Sequence, residues 1–162
     1  MDESKKGGIA LTQDEQDILK LEVEALIPVL SQERQPPYRR LAQAIEDGWV
    51  AEELEPYLDG LLTLALETGR ARSLYRAEGE RVLTDLFRRT TRGQALTRQV
   101  EQINRSLRVL RGQNLQSLRV GFRTLGSFSL LIETESAIIT LTFSSDSVQV
   151  DSLSVGGEAG LG

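Results

Sequence analysis

The fold is decided by the stretch from Thr91 to Val150, TRGQALTRQVEQINRSLRVLRGQNLQSLRVGFRTLGSFSLLIETESAIITLTFSSDSVQV. Its first part predicts an amphipathic helix, because apolar residues recur at spacings of four, three, four and three. Gly112 ends this pattern, as expected for a glycine that follows a helix. About two heptads are too few for a coiled coil, so we expect the helix to pack on a sheet. The apolar residues of this helix are Leu96, Val100, Ile103, Leu107 and Leu110.

Four runs after Gly112 alternate apolar and polar residues, which is the period of a β-strand with one buried face. Short loops at 124–126, 135–136 and 145–146 join the runs, so we predict a four-stranded antiparallel meander. The large apolar residues of these pairs then share one face, which the preceding helix is expected to cover. The predicted cross-strand pairs are Phe122–Phe128, Val120–Leu130, Ile132–Ile139, Phe128–Phe143 and Phe143–Val148.

The whole chain is therefore predicted to be an α+β protein, with a helical N-terminal region before the C-terminal helix and sheet. Apolar residues at helical spacing and several turn signals indicate about five helices in the N-terminal region. The predicted organisation is a flexible leader at 1–10, the helical region at 11–90, the helix and sheet at 91–153, and a flexible tail at 154–162.

Local signals predict where particular helices begin and end. Thr12 begins the first helix with a capping box, because Glu15 follows three residues later. A similar pattern begins the helix at Thr91. Residues 70–79 contain Gly79, which weakens a helix, so we predict a loop there and a helix over 80–90.

Residue types restrict the chemistry of this chain. It has no cysteine and no histidine, which excludes Ser/His/Asp and Cys/His catalysis as well as thiolate metal sites. Acidic clusters occur, but none has the spacing of a calcium-binding loop. The sequence thus favours a protein without enzymatic activity and indicates no catalytic residues, metal site or cofactor, although carboxylate, lysine or tyrosine chemistry stays open.

Charge is segregated along the chain although the net charge is only −5. Residues 1–60 carry 6 basic and 14 acidic residues, whereas 61–126 carry 13 arginines and 5 acidic residues. Either these blocks meet inside the protein or across a subunit contact, or the arginines form a surface for phosphate, nucleic acid or an acidic protein. The candidate arginines for such a surface are Arg88, Arg89, Arg92, Arg98, Arg105 and Arg108.

One short segment resembles a known family. Residues Leu83 to Leu96, with Thr91-Arg92-Gly93 before an apolar helix, are similar to the exit from the wing of a winged-helix DNA-binding domain. This resemblance implies a nucleic-acid-binding regulatory protein as an alternative function, and the sequence identifies no family over its length.

The function favoured by the sequence is a non-enzymatic interaction or scaffold protein that self-associates and carries a segregated arginine-rich surface for an acidic partner. Leu131 and Ile138 are the candidate interface, because they are apolar residues on the outer side of the predicted sheet. No apolar run is long enough for a signal peptide or a membrane-spanning helix, so we expect a soluble, cytoplasmic protein.

Overall fold

The computed structural model describes residues 7–145 and 147–156 and divides into an N-terminal unit, Met1–Gln94, and a C-terminal unit, Ala95–Gly162. The predicted α+β class is confirmed, since helices precede a four-stranded antiparallel sheet with a helix packed on it. Within the described residues, the N-terminal unit contains β1 (Gly8–Ala10), α1 (Gln13–Leu26), α2 (Gln35–Glu46), β2 (Trp49–Ala51), α3 (Glu55–Glu67) and α4 (Arg70–Phe87).

The core of the N-terminal unit lies between its helices. The capping box that was predicted for α1 is confirmed: the Thr12 hydroxyl accepts from the backbone N–H of Glu15, and the Glu15 carboxylate accepts from that of Thr12. Apolar residues on the inner faces of all four helices are fully buried, which is the main stabilising contribution in such a unit. These residues include Leu19, Leu41, Ile45, Leu58, Leu61, Leu62, Leu83 and Leu86.

The structure corrects the end of the expected flexible leader. Gly8–Ala10 form β1, which pairs antiparallel with β2 and places Ile9 opposite Val50. Ile9 is buried with the N-terminal core, so hydrophobic burial and backbone pairing together hold this segment in place. Residues 1–6 of the expected leader lie outside the described residues.

The predicted loop at 70–79 is wrong, because these residues belong to α4. Gly79 is buried against Tyr75, and a Cβ added to Gly79 would lie 2.1 Å from the Tyr75 Cβ. The glycine therefore permits close packing inside the helix and does not end it. The helix is kinked at Arg76, where φ is 61° and ψ is −168°, a conformation that residues other than glycine rarely adopt.

The second predicted capping box is wrong, because Thr90 caps this helix in place of Thr91 and the Gln94 side chain does not accept from the backbone of Thr91. The hydroxyl of Thr90, not that of Thr91, accepts a hydrogen bond of 3.1 Å from the backbone N–H of Gly93. The side chain of Gln94 donates to the Arg89 carbonyl, at 3.1 Å. Both threonines fit the sequence pattern for a cap, so the pattern alone does not distinguish them.

A meander with the predicted register forms the C-terminal sheet. Its strands are hydrogen-bonded in the order β3, β4, β5, β6, and all five predicted cross-strand pairs are present. Strand β6 continues through Ser154 and Val155, where the tail was expected to begin, and residues 157–162 lie outside the described part of the chain. The elements here are α5 (Thr91–Leu107), β3 (Leu115–Thr124), β4 (Ser127–Thr134), β5 (Ala137–Ser144) and β6 (Val148–Val155).

Helix α5 covers only part of the apolar face of the sheet. Its Ile103 is buried with Ile139 and Leu141 of β5, and Phe143 is partly buried at this cluster. Phe122 and Phe128 were also expected in the core, but both are exposed. The physical reason is width: a helix is about 10 Å across and strands lie about 4.8 Å apart, so α5, which packs mainly over β5, does not also cover β3 two strands away.

None of the helices in the described residues combines the length and the apolar character needed to cross a membrane.

Candidate interaction surface

An uncovered set of apolar side chains lies on β3 and β4. We call Leu118, Val120, Phe122 and Phe128 the apolar stripe; their exposed fractions are 57%, 74%, 69% and 47%. Phe122 and Phe128 are cross-strand partners whose rings pack edge to face, with centroids 5.9 Å apart. Because β3 is an edge strand, the stripe lies on the half of the face farthest from the cluster under α5.

The opposite face of the sheet is polar and internally bonded. Arg123 donates hydrogen bonds to the hydroxyl of Thr142, at 2.9 Å, and to the carboxylate of Asp151, at 2.7 Å. The Thr142 hydroxyl also donates to Asp151. Gly121 has no side chain and its cross-strand partner Ser129 has a small one, which leaves space for the arginine to cross β4. These three side chains therefore satisfy one another.

Leu131 and Ile138, the interface candidates from the sequence, lie on this polar face. Leu131 is half-buried and pairs with Thr140, two residues along β5 from Ile138. The two side chains are thus diagonal neighbours, and Ile138 is 42% exposed. The structure brings them together, but they expose less apolar surface than the apolar stripe. Sequence reasoning missed the stripe, although a sheet of four strands under a single helix was a signal that part of the face would stay uncovered.

Three of the six candidate arginines form ion pairs within the N-terminal unit. Two of these pairs join the basic block to the acidic block at 1–60, whereas Arg88 pairs with an acidic residue of its own block. Arg89 also donates to the carbonyl of Ala10, at 2.8 Å, which helps to fix the end of β1. The pairs are Arg88 with Asp85 at 2.9 Å, Arg89 with Glu15 at 2.5 Å, and Arg92 with Asp59 at 3.3 Å.

The other three candidate arginines lie in the C-terminal unit and are exposed. We call Arg98, Arg105 and Arg108 the cationic face; no acidic residue in the described part of the chain forms an ion pair with any of them. Helical spacing places Arg98 and Arg105 on the side of α5 opposite Ile103, which faces the sheet. Glu101 lies near them and lowers the local positive charge.

Two features bear on the chemistry of the described residues. No group of three or more acidic side chains in the described ranges could hold a metal ion. The pKa of Tyr75 is raised to about 12 by burial, by the hydrogen bond that Tyr75 donates to Glu22 and by the Glu22 charge. This phenol keeps its proton near neutral pH, so it acts as a structural hydrogen-bond donor and is unsuited to be a general base.

The segment that resembles a wing exit has a different local structure. The residues before Thr91 belong to helix α4 and a short turn, where a wing would supply a strand. Comparison of the chain with protein-family models, curated proteins and solved structures gave no match.

Proposed function

We propose that this chain is a non-enzymatic interaction protein that self-associates through its C-terminal sheet. The observation that carries the proposal is the apolar stripe, which leaves on the order of 500 Å² of contiguous apolar surface in water, near the upper end of the range for a monomer's largest patch. A patch of this size is often a functional contact surface, and association would remove its apolar area from water. The lack of histidine and cysteine supports the non-enzymatic part of the proposal.

Introducing a charge into the stripe should abolish self-association. Val120→Asp would place an unpaired carboxylate in the buried contact, which costs several kcal/mol. We expect the dissociation constant, measured by analytical ultracentrifugation, to rise at least about 100-fold. Val120 is 74% exposed in the single chain, so circular dichroism of the variant should match that of the wild type.

Val29→Asp is the matched control for this experiment. It makes the same chemical change at a position that is 78% exposed in the N-terminal unit. Self-association should persist in this variant. A wild-type chain that sediments as a monomer at all accessible concentrations would refute the proposal, as would an equal loss of association in both variants.

We propose nucleic-acid binding by the cationic face as the second candidate function. The observation in its favour is that Arg98, Arg105 and Arg108 lack ion pairs among the described residues, whereas Arg88, Arg89 and Arg92 have them. Fluorescence anisotropy with labelled duplex and single-stranded oligonucleotides at ~50 mM salt tests it, because phosphate contacts weaken steeply as salt rises. We expect the triple change of the cationic face to glutamine to remove binding.

The matched control replaces three exposed arginines of the N-terminal unit that form ion pairs, and it should leave affinity unchanged. Absence of binding by the wild-type chain at micromolar concentration removes this second function. The control positions are Arg72, Arg81 and Arg88.

A further inference from the structure

The apolar face of the C-terminal sheet lacks a second layer over one half. On β5, Ile139 and Leu141 are buried under α5, whereas on β3 Val120 and Phe122 stand in solvent. A sheet face that is apolar throughout needs a packed layer across its full width. The uncovered half of the face therefore marks where a further packing layer would lie.

The chemistry of the apolar stripe identifies what fits there. None of its four side chains carries a charge or a hydrogen-bonding group, so a charged partner would gain no ion pair and would lose hydration. A second copy of the chain presents the same four apolar side chains. In a two-fold contact each stripe would face the other, which places apolar surface on apolar surface.

The area of the apolar stripe is sufficient for a contact with a second copy of the chain. Two copies together would bury on the order of 1,000 Å², which reaches the threshold for a specific protein interface. The rings of Phe122 and Phe128 are already packed against each other at 5.9 Å, which limits the entropy lost on association. A second copy is thus sufficient to cover the stripe.

Strand β3 is poorly suited to the alternative contact, in which its edge would pair with the edge of another sheet. The β3–β4 pairing has irregularities between Leu115 and Ser117 and between Phe122 and Thr124, and bulges of this kind interrupt an edge. Edge pairing would also bring the exposed side chain of Arg119 close to its copy, and like charges across strands destabilise a sheet.

We infer that a second copy of this chain covers the apolar stripe, with the two sheets packed face to face about a two-fold axis. The inference rests on the proposed self-association and adds its geometry. Val120 then lies in the contact, whereas Arg119, its neighbour on β3, points to the outer face of each sheet.

Single-cysteine variants test this geometry cleanly, because the chain has no cysteine of its own. Packed sheets lie about 10 Å apart, so a thiol-specific crosslinker of about that reach should link Val120→Cys to its copy. Arg119→Cys is the matched control on the opposite face. We expect Val120→Cys to be crosslinked at least about tenfold faster than Arg119→Cys, because the contact raises its effective concentration. Sedimentation of both variants and of the wild type is measured in parallel.

Each outcome separates the geometry from the proposed function. Preferential crosslinking of Val120→Cys in an associating protein supports the face-to-face contact. Equal crosslinking of both variants, or none in either, overturns the geometry if the wild type still associates, and the proposed function survives. A wild-type protein that is monomeric in sedimentation overturns both.

Discussion

Replacing Ile139 with alanine should lower the free energy of unfolding of the C-terminal unit by about 2–5 kcal/mol. Ile139 is fully buried, and only Ile103 and Leu141 share its cluster as buried apolar residues in the described part of this unit. Strand β5 is hydrogen-bonded to β4 on one side and to β6 on the other, which prevents it from moving inward to fill the cavity. A large fraction of the small core would therefore be lost.

Ile138→Ala is the matched control because Ile138 is the adjacent residue in β5. It is 42% exposed on the opposite face, so its replacement should cost less than about 1 kcal/mol. Hydrogen exchange of the β5 amides is the suitable measurement, because the only tryptophan, Trp49, lies in the N-terminal unit. Equal losses of protection in the two variants would contradict the assignment of Ile139 to the core.

The register of the sheet could be predicted from sequence because side chains alternate with a period of two. Once the loop at 124–126 sets Phe122 opposite Phe128, the alternation places Leu118 and Val120 of β3 on the same face as Leu130 and Ile132 of β4. The extent of burial could not be predicted in this way. An apolar pattern shows which face avoids water, but the width of α5 decides how much of that face is covered.

The ion pairs show a second limit of sequence reasoning. The segregated charges indicated that the acidic and basic blocks could meet. Three ion pairs of the N-terminal unit do join residues of the two blocks. The particular partners were not predictable, because Arg92 and Asp59 lie 33 residues apart and Arg89 and Glu15 lie 74 apart. Such pairs depend on the packing of whole helices, which local patterns do not specify.

The carboxylate of Glu22 in the N-terminal unit is almost fully buried, since its side chain is only 4% exposed. Arg70 Nε lies 3.2 Å from one oxygen and 3.0 Å from the other, and the Tyr75 hydroxyl donates to the first at 2.7 Å. Arg70→Met would leave this buried charge with one neutral donor among the residues described. We expect the free energy of unfolding to fall by about 3 kcal/mol in chemical denaturation followed by Trp49 fluorescence.

The double variant Glu22→Leu/Arg70→Met is the control for this effect. It removes both charges and keeps apolar volume, so it should recover most of the stability that Arg70→Met alone loses. A double variant as unstable as the single one would show that Arg70 acts through packing of its side chain and not through the charge of Glu22.

Titration of Tyr75 provides an independent readout of the same cluster. Its pKa is raised from 10.0 to about 12, by burial first and then by the hydrogen bond to Glu22 and the charge of Glu22. The unfolded chain loses the Tyr75 proton at a lower pH than the folded chain does. The stabilisation that comes from the protonated Tyr75 is therefore fully present below pH 10 and is lost as pH rises towards about 12. In Glu22→Leu the hydrogen bond to Glu22 and the charge of Glu22 no longer raise the Tyr75 pKa, whereas part of the effect of burial remains. The Tyr75 pKa, measured by tyrosinate absorbance, should therefore lie between 10.0 and about 12. An unchanged pKa would show that burial alone raises the Tyr75 pKa and that the Glu22 carboxylate does not contribute.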